Sequence, residues 1–93
     1  MEFTGKIIEI LSDNGISKDG RPWTRNTYVV MIDEEHHDVI HFGLMNERIP
    51  NNLNVNDMIK FNMSFRSRAY QSEGKPKRYM YNGIQWGDIV LLQ

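Results

Sequence analysis

The chain has 93 residues, 40% of them hydrophobic and 11% aromatic, which supports one small core and not a second. Its formal net charge is -1 and it contains no cysteine, so disulfides, thiolate zinc sites and thiol nucleophiles are excluded. No stretch approaches the roughly 20 apolar residues that cross a bilayer, and "MEFTGKIIEILS" is acidic at its second position with a short apolar run, unlike a secretory signal. These features predict a single domain over residues 1–93, cytoplasmic and without membrane association.

In chain order, "EFTGKIIEIL" reads as a first strand, apolar on both faces near Ile7 and Ile8, with Gly5 marking a bulge or bend. "SDNG" and "KDGRP" supply the turn chemistry that separates it from the next run. "WTRNTYVVMID" is rich in β-branched and aromatic residues: Tyr28, Val30 and Ile32 share one face, and Trp23, Arg25 and Thr27 share the other. The acidic turn "DEEHHD" leads into "DVIHFGLM", with Ile40, Phe42 and Leu44 inward and His41 outward.

"NERIPNNL" interrupts the β pattern. Asn46 suits the cap of a short helical turn that Pro50 limits, since proline costs about 3 kcal/mol inside a helix. In "MIKFNMSFR", Ile59, Phe61, Met63 and Phe65 alternate with Lys60, Asn62, Ser64 and Arg66, giving one buried and one wet face. "QSEGKPK" then turns into "RYMYNGIQWGDIVLL", where Gly83 and Gly87 predict a kink. Trp86, among Ile84, Val90 and Leu91, reads as core, as do Tyr28, Phe42, Phe61 and Phe65.

Three strands, a short helical or irregular connection, then two strands describe an all-β OB-fold, a five-stranded Greek-key barrel. An SH3-like barrel would carry its helical turn one strand later. In the OB-fold the usual ligand surface is the face of strands 2 and 3, between the loops joining strands 1 and 2 and strands 4 and 5. Charge is placed to suit that surface. Six basic residues lie between Lys60 and Arg78 against one acid, Glu73, whereas "DEEHHD" gathers four acids. Lys18, Arg21, Trp23 and Arg25 lie in or beside the first loop; Arg66, Arg68, Tyr70, Lys75, Lys77, Arg78 and Tyr79 lie in or beside the second.

Cations that track a phosphate chain, interleaved with rings that stack on unpaired bases, form the chemistry of a single-strand binder; each stacked base contributes about 1–3 kcal/mol. The plainer reading is two solvated loops of opposite sign. Composition leaves Trp23, Tyr70, Tyr79 and Tyr81 divided between the groove and the barrel end. His36 and His37 are adjacent on an extended chain and point to opposite faces, which disfavours a shared metal ion. The sequence has no H-E-x-x-H, no G-x-S-x-G and no phosphate-cradling glycine loop. A binding protein is therefore expected, with no catalytic residues, no metal, no cofactor and no small-molecule substrate.

"MEFTGKI", "GRPW", "TYVV", "ERI", "SRAY" and "YNGIQW" together resemble a family of short bacterial OB-fold proteins of unknown function grouped with the single-stranded DNA-binding superfamily. The resemblance runs from Met1 to about Trp86. It implies the same fold and single-stranded DNA as the ligand. An RNA strand satisfies the same chemistry, because no reader of a 2′-hydroxyl is legible here. The acidic recruiting tail of the replicative members has no counterpart in "DIVLLQ", whose apolar character suits completion of strand 5 or pairing with another copy, as in a homodimer. The alternative is a protein-interaction barrel docking an acidic partner, since Trp, Tyr and Arg are enriched at both kinds of surface.

Overall fold

Alternating apolar and polar residues become five antiparallel strands in the computed structural model, which describes residues 1–93. They are β1 (Glu2–Ile16), β2 (Pro22–Asp33), β3 (Asp38–Met45), β4 (Met58–Tyr70) and β5 (Arg78–Leu91), with one 3₁₀ turn at Asn46–Arg48 between β3 and β4. No helix is long and apolar enough to cross a membrane. The strands form one sheet in the order β3-β2-β1-β4-β5. β1 is central because it is long enough to serve two partners: Glu2–Lys6 pair with β4, while Lys6–Ile16 pair with β2.

The expected barrel is a curled sheet that does not close. β3 and β5, its two edges, approach one another without sharing a ladder. The concave side holds the core of Ile7, Tyr28, Val30, Phe42, Leu44, Leu53, Ile59, Phe61 and Met63. Phe42 ties it together, with its ring centroid 5.2 Å from Phe61 and 5.5 Å from Tyr28, within the range where aromatic pairs add to area burial.

Gly5 is not the bulge. A Cβ there would stand 2.4 Å from the Met31 carbonyl oxygen, so Gly5 permits the backbones of β1 and β2 to close in on each other. The bulge falls at Ile8, where the register slips between the Ile7–Val30 and Glu9–Val29 pairs; the extra residue has no cross-strand partner and turns its side chain outward. "SDNG" is not a turn. The β1–β2 ladder continues through it as far as the Ile16–Pro22 pair, aided by the Ser12 hydroxyl, which donates to Asn26 Oδ1 at 2.8 Å. Asn46 is not a cap either. It adopts φ 52° inside the 3₁₀ turn, and its Oδ1 accepts the Thr24 backbone N–H at 3.0 Å, tying the turn to β2.

Trp86 is 48% exposed, and Gln85, 5% exposed, takes the inward position instead. Three residues of β5, Gly87 to Ile89, stand opposite the single residue Phe61. Gly87 turns the chain there with φ 72°, a conformation that favours glycine. The Gln85 side chain stitches this bulge by donating Nε2 to the carbonyls of Trp86 and Gly87, both at 3.0 Å. Phe65 also departs from the expected core, at 47% exposed. It faces inward, but it sits where the sheet has opened and retains only an edge contact to Phe3, with centroids 6.1 Å apart.

Beyond Phe65 and Gly83 the β4–β5 hairpin leaves the core entirely, and every residue from Ser64 to Asn82 is exposed. The radius of gyration of 15.6 Å exceeds the roughly 12 Å of a compact chain this long. The hairpin is therefore an arm, and what it carries is available to a ligand.

Candidate nucleic-acid interface

Residues directly opposite in an antiparallel ladder share a face, so the register assigns each hairpin side chain. Met63 and Gln85 form a buried inward pair. Continuing outward on that face come Phe65–Gly83, Ser67–Tyr81 and Ala69–Tyr79. Small residues stand opposite both tyrosines, leaving Phe65, Tyr81 and Tyr79 as a row of rings that is half-exposed at Phe65 and exposed at the two tyrosines. Gly83 is required in this row, because a Cβ there would meet Phe65 Cε1 at 3.1 Å and Met63 Cε at 2.9 Å. Lys77 continues the row, its Nζ 5.6 Å from the Tyr79 ring centroid.

The opposite face of the arm carries Arg66–Asn82, Arg68–Met80 and Tyr70–Arg78. The hairpin residues singled out in the sequence are thus divided. Tyr79 and Lys77 belong to the inner face, whereas Arg66, Arg68, Arg78 and Tyr70 belong to the outer one. Lys75 lies in the connecting turn. None of the five hairpin cations has an acidic partner within 4.0 Å; the ion pairs all lie elsewhere.

The second bank is the convex face of β2 and β3, where Trp23, Arg25 and Thr27 alternate outward. Arg25 is central to it. Its guanidinium lies 5.9 Å from the Trp23 ring centroid and its stem covers Gly43, whose absent Cβ would meet Arg25 Cδ at 3.6 Å. The Trp23 indole rests on Gly15 of β1, where a Cβ would come within 2.6 Å of the ring. Arg25, Thr27, His41 and Gly43 on this bank and Phe65 and Tyr81 on the arm line one groove of about 370 Å³. The groove lies across the open seam between β3 and β5, and of the residues singled out in the sequence Arg25 lines it, whereas Arg66, Arg68, Tyr70, Lys75, Lys77, Arg78 and Tyr79 do not.

Trp23 does not line that groove. It stands at the neighbouring depression formed with Asn14, Gly15, Thr24 and Asn46, connected to the groove through Arg25. Lys18 and Arg21 lie further out, at the tip of the β1–β2 loop. Their charge is partly offset: Arg21 Nε is 3.4 Å from Asp19 and Arg25 Nη2 is 3.4 Å from Asp13. The Ser17 hydroxyl donates to Asp19 and holds that carboxyl below its ordinary value, keeping it ionised beside Arg21. The arm is therefore more strongly positive than the β1–β2 loop, although Arg66, Arg68 and Arg78 lie on its outer face and only Lys77 continues the row of rings.

Thr27, His41, Phe65 and Tyr81 line the groove without belonging to the binding set that the sequence predicts. His41 was readable as outward-facing but had no companion in sequence, and Thr27 was visible only as a neighbour of Arg25. Phe65 passed for core because it continues the alternation of β4. Tyr81 is 83% exposed, which decides it against the barrel end.

The acidic turn, residues 33–38, does not line the groove, although Val39 beside it does. Asp33 accepts from the His36 ring Nδ1 at 2.8 Å and from the His36 backbone N–H at 3.2 Å, and these bonds, the ring contact foremost, hold its carboxyl below the ordinary aspartate value. Glu34, Glu35 and Asp38 extend the negative charge around it.

Fold and groove together define a small all-β protein built of five antiparallel strands, with a cationic aromatic arm standing over one sheet face. The chain belongs to the family described as "Domain of unknown function (DUF3127)", whose model matches residues 2–87. No curated protein matches the chain. No solved structure matches it either.

Proposed function

We propose that this chain is a single-stranded nucleic-acid-binding module of the OB-fold class, acting as a binder without catalytic chemistry and with little preference for sequence. The observation that carries the reading is the shared groove. Arg25 of β2 and Tyr81 of β5, 56 residues apart in sequence, line one opening together with Phe65 and His41. Bases lie against Phe65, Tyr81 and Tyr79, and every base has a flat face to offer, so the platform accepts any sequence. Phosphates run along Arg25 and Lys77, with the unpaired arm cations raising the local concentration of polyanion despite a net charge of -1. A meander of three strands followed by β4 returning to β1, with the connecting turn between β3 and β4, supports the OB-fold class although β3 and β5 share no ladder. The cysteine-free composition supports a cytoplasmic setting.

Titration of intrinsic tryptophan fluorescence with oligo-dT at two salt concentrations tests the reading. Each phosphate contact lowers log K by about 0.7 per log unit of salt, so the two contacts at Arg25 and Lys77 weaken binding roughly 7-fold between 50 and 200 mM. A parallel oligo-U titration compares RNA with DNA. A signal that is flat with oligonucleotide, or binding that does not respond to salt, overturns the proposal.

A further inference from the structure

β5 has a second exposed face, and it is apolar. Ile84, Trp86 and Val90 lie on the convex side of the sheet, opposite Ser64, Asn62 and Lys60 of β4. Leu92 follows Val90 at the alternate position, its N–H donating to the Met58 carbonyl at 2.7 Å. All four are between 41% and 48% exposed. They form a stripe along the base of β5, one residue pair short of the Arg66–Asn82 pair where the arginines begin. On β5 the groove is lined by Tyr81, Asn82 and Gly83, none of which belongs to the stripe.

We infer that this stripe is the contact between two copies of the chain, packed convex face to convex face about a two-fold axis. The area supports a second copy. The four residues expose on the order of 350 Å², mostly apolar, within the range of the largest patch on a typical monomer, which is often functional. Laid stripe on stripe, two copies remove about 700 Å² of apolar surface; at the roughly 65% apolar content of homodimer contacts this corresponds to about 1,100 Å² in total, just above the threshold for a specific interface. Charge does not oppose the pairing. Lys60, beside the stripe, is matched on its own chain by Glu2, with Nζ 3.8 Å from Oε2; Asn62 and Ser64 are neutral, and Arg66 stands past the stripe's outer end at Ile84. A self-complementary apolar stripe satisfies the requirement of a two-fold contact that each surface meet its own copy. None of the four stripe residues lines the groove.

Sedimentation velocity on the full chain tests this, at concentrations up to about 200 µM, where a dimer of micromolar Kd is largely formed. The expected result is a concentration-dependent species of twice the 11.0 kDa chain mass, with Trp86→Glu raising its Kd by about 30-fold or more, as for a central hot spot. Affinity of the variant for a short oligonucleotide stays unchanged. A wild-type chain that remains monomeric throughout, or a dimer indifferent to Trp86→Glu, overturns the inference. Because the natural chain has no cysteine, a spin label at Ser64→Cys supplies a measurement that leaves Trp86 intact. Sheets packed face to face lie about 10 Å apart, so labels within about 30 Å support the convex-face contact and longer separations exclude it.

Discussion

Tyr81 and Tyr70 belong to one hairpin, and both are exposed, yet the register assigns them to opposite faces: Tyr81 pairs with Ser67 beside the groove, and Tyr70 pairs with Arg78 away from it. Truncating each to alanine therefore separates the geometry of the arm from its composition. Tyr81→Ala removes a ring that is 83% exposed and lines the groove with Phe65. Loss of one stacked base costs about 1–3 kcal/mol, a 5- to 150-fold increase in Kd. Tyr70→Ala changes Kd by less than about twofold, because it is off the platform. Neither ring supports the core, so folding stability stays within about 0.5 kcal/mol of the parent in both variants. Fluorescence anisotropy with a labelled oligo-dT measures the affinities, and thermal unfolding followed by circular dichroism checks the fold. Equal losses for the two variants, or a Tyr81→Ala loss under twofold in a folded protein, refute the assignment of faces and with it the stacking platform.

Gly5→Ala places a methyl group 2.4 Å from the Met31 carbonyl oxygen; forced strand separation costs about 1–3 kcal/mol, lowering Tm by about 4–8 °C for each kcal/mol in a chain of this size. An unchanged Tm contradicts the close approach of β1 and β2. Gln85→Leu keeps an apolar volume inside but deprives the Trp86 and Gly87 carbonyls of their shared donor, for a loss of about 1–3 kcal/mol that denaturant unfolding reads directly. Asp33, depressed below the ordinary 3.8 chiefly by its bond to the His36 ring, contributes stability that is fully present above pH 3.8 and disappears as pH falls through its lower folded-state value. Carboxyl-detected NMR titration should return Asp33 toward 3.8 in His36→Ala; an unaltered midpoint contradicts that cause.

The strands were legible because period-2 alternation is local: β3 begins and ends at the residues the sequence marks, and the inward sets Tyr28–Val30, Phe42–Leu44 and Ile59–Phe61–Met63 are buried as read. What depended on where neighbouring strands stop was not legible. Phe65 continues the alternation perfectly, but the sheet opens beside it, a consequence of two edges meeting that no local pattern records. Trp86 reads as core in any regular strand; the Gly87–Ile89 bulge gives the inward place to Gln85, and glycine at position 87 signalled a kink without specifying how many residues it would absorb. The division of the arm into a ring face and an arginine face follows from the Tyr70–Arg78 register, which the length of the turn sets. Lys18 and Arg21 were readable as loop cations, whereas the pairing of Arg21 with Asp19 is a matter of how the turn folds back.

The central claim is that a single strand of nucleic acid lies between the convex face of β2–β3 and the inner face of the arm. Two-dimensional ¹H–¹⁵N NMR of the labelled chain during titration with a short oligo-dT tests it most directly. The account requires the amides of Arg25, Thr27, His41, Phe65 and Tyr81 to shift together and saturate, while Ile84 and Val90 on the apolar stripe stay still. Shifts confined to the stripe, or spread over the surface without saturation, contradict it.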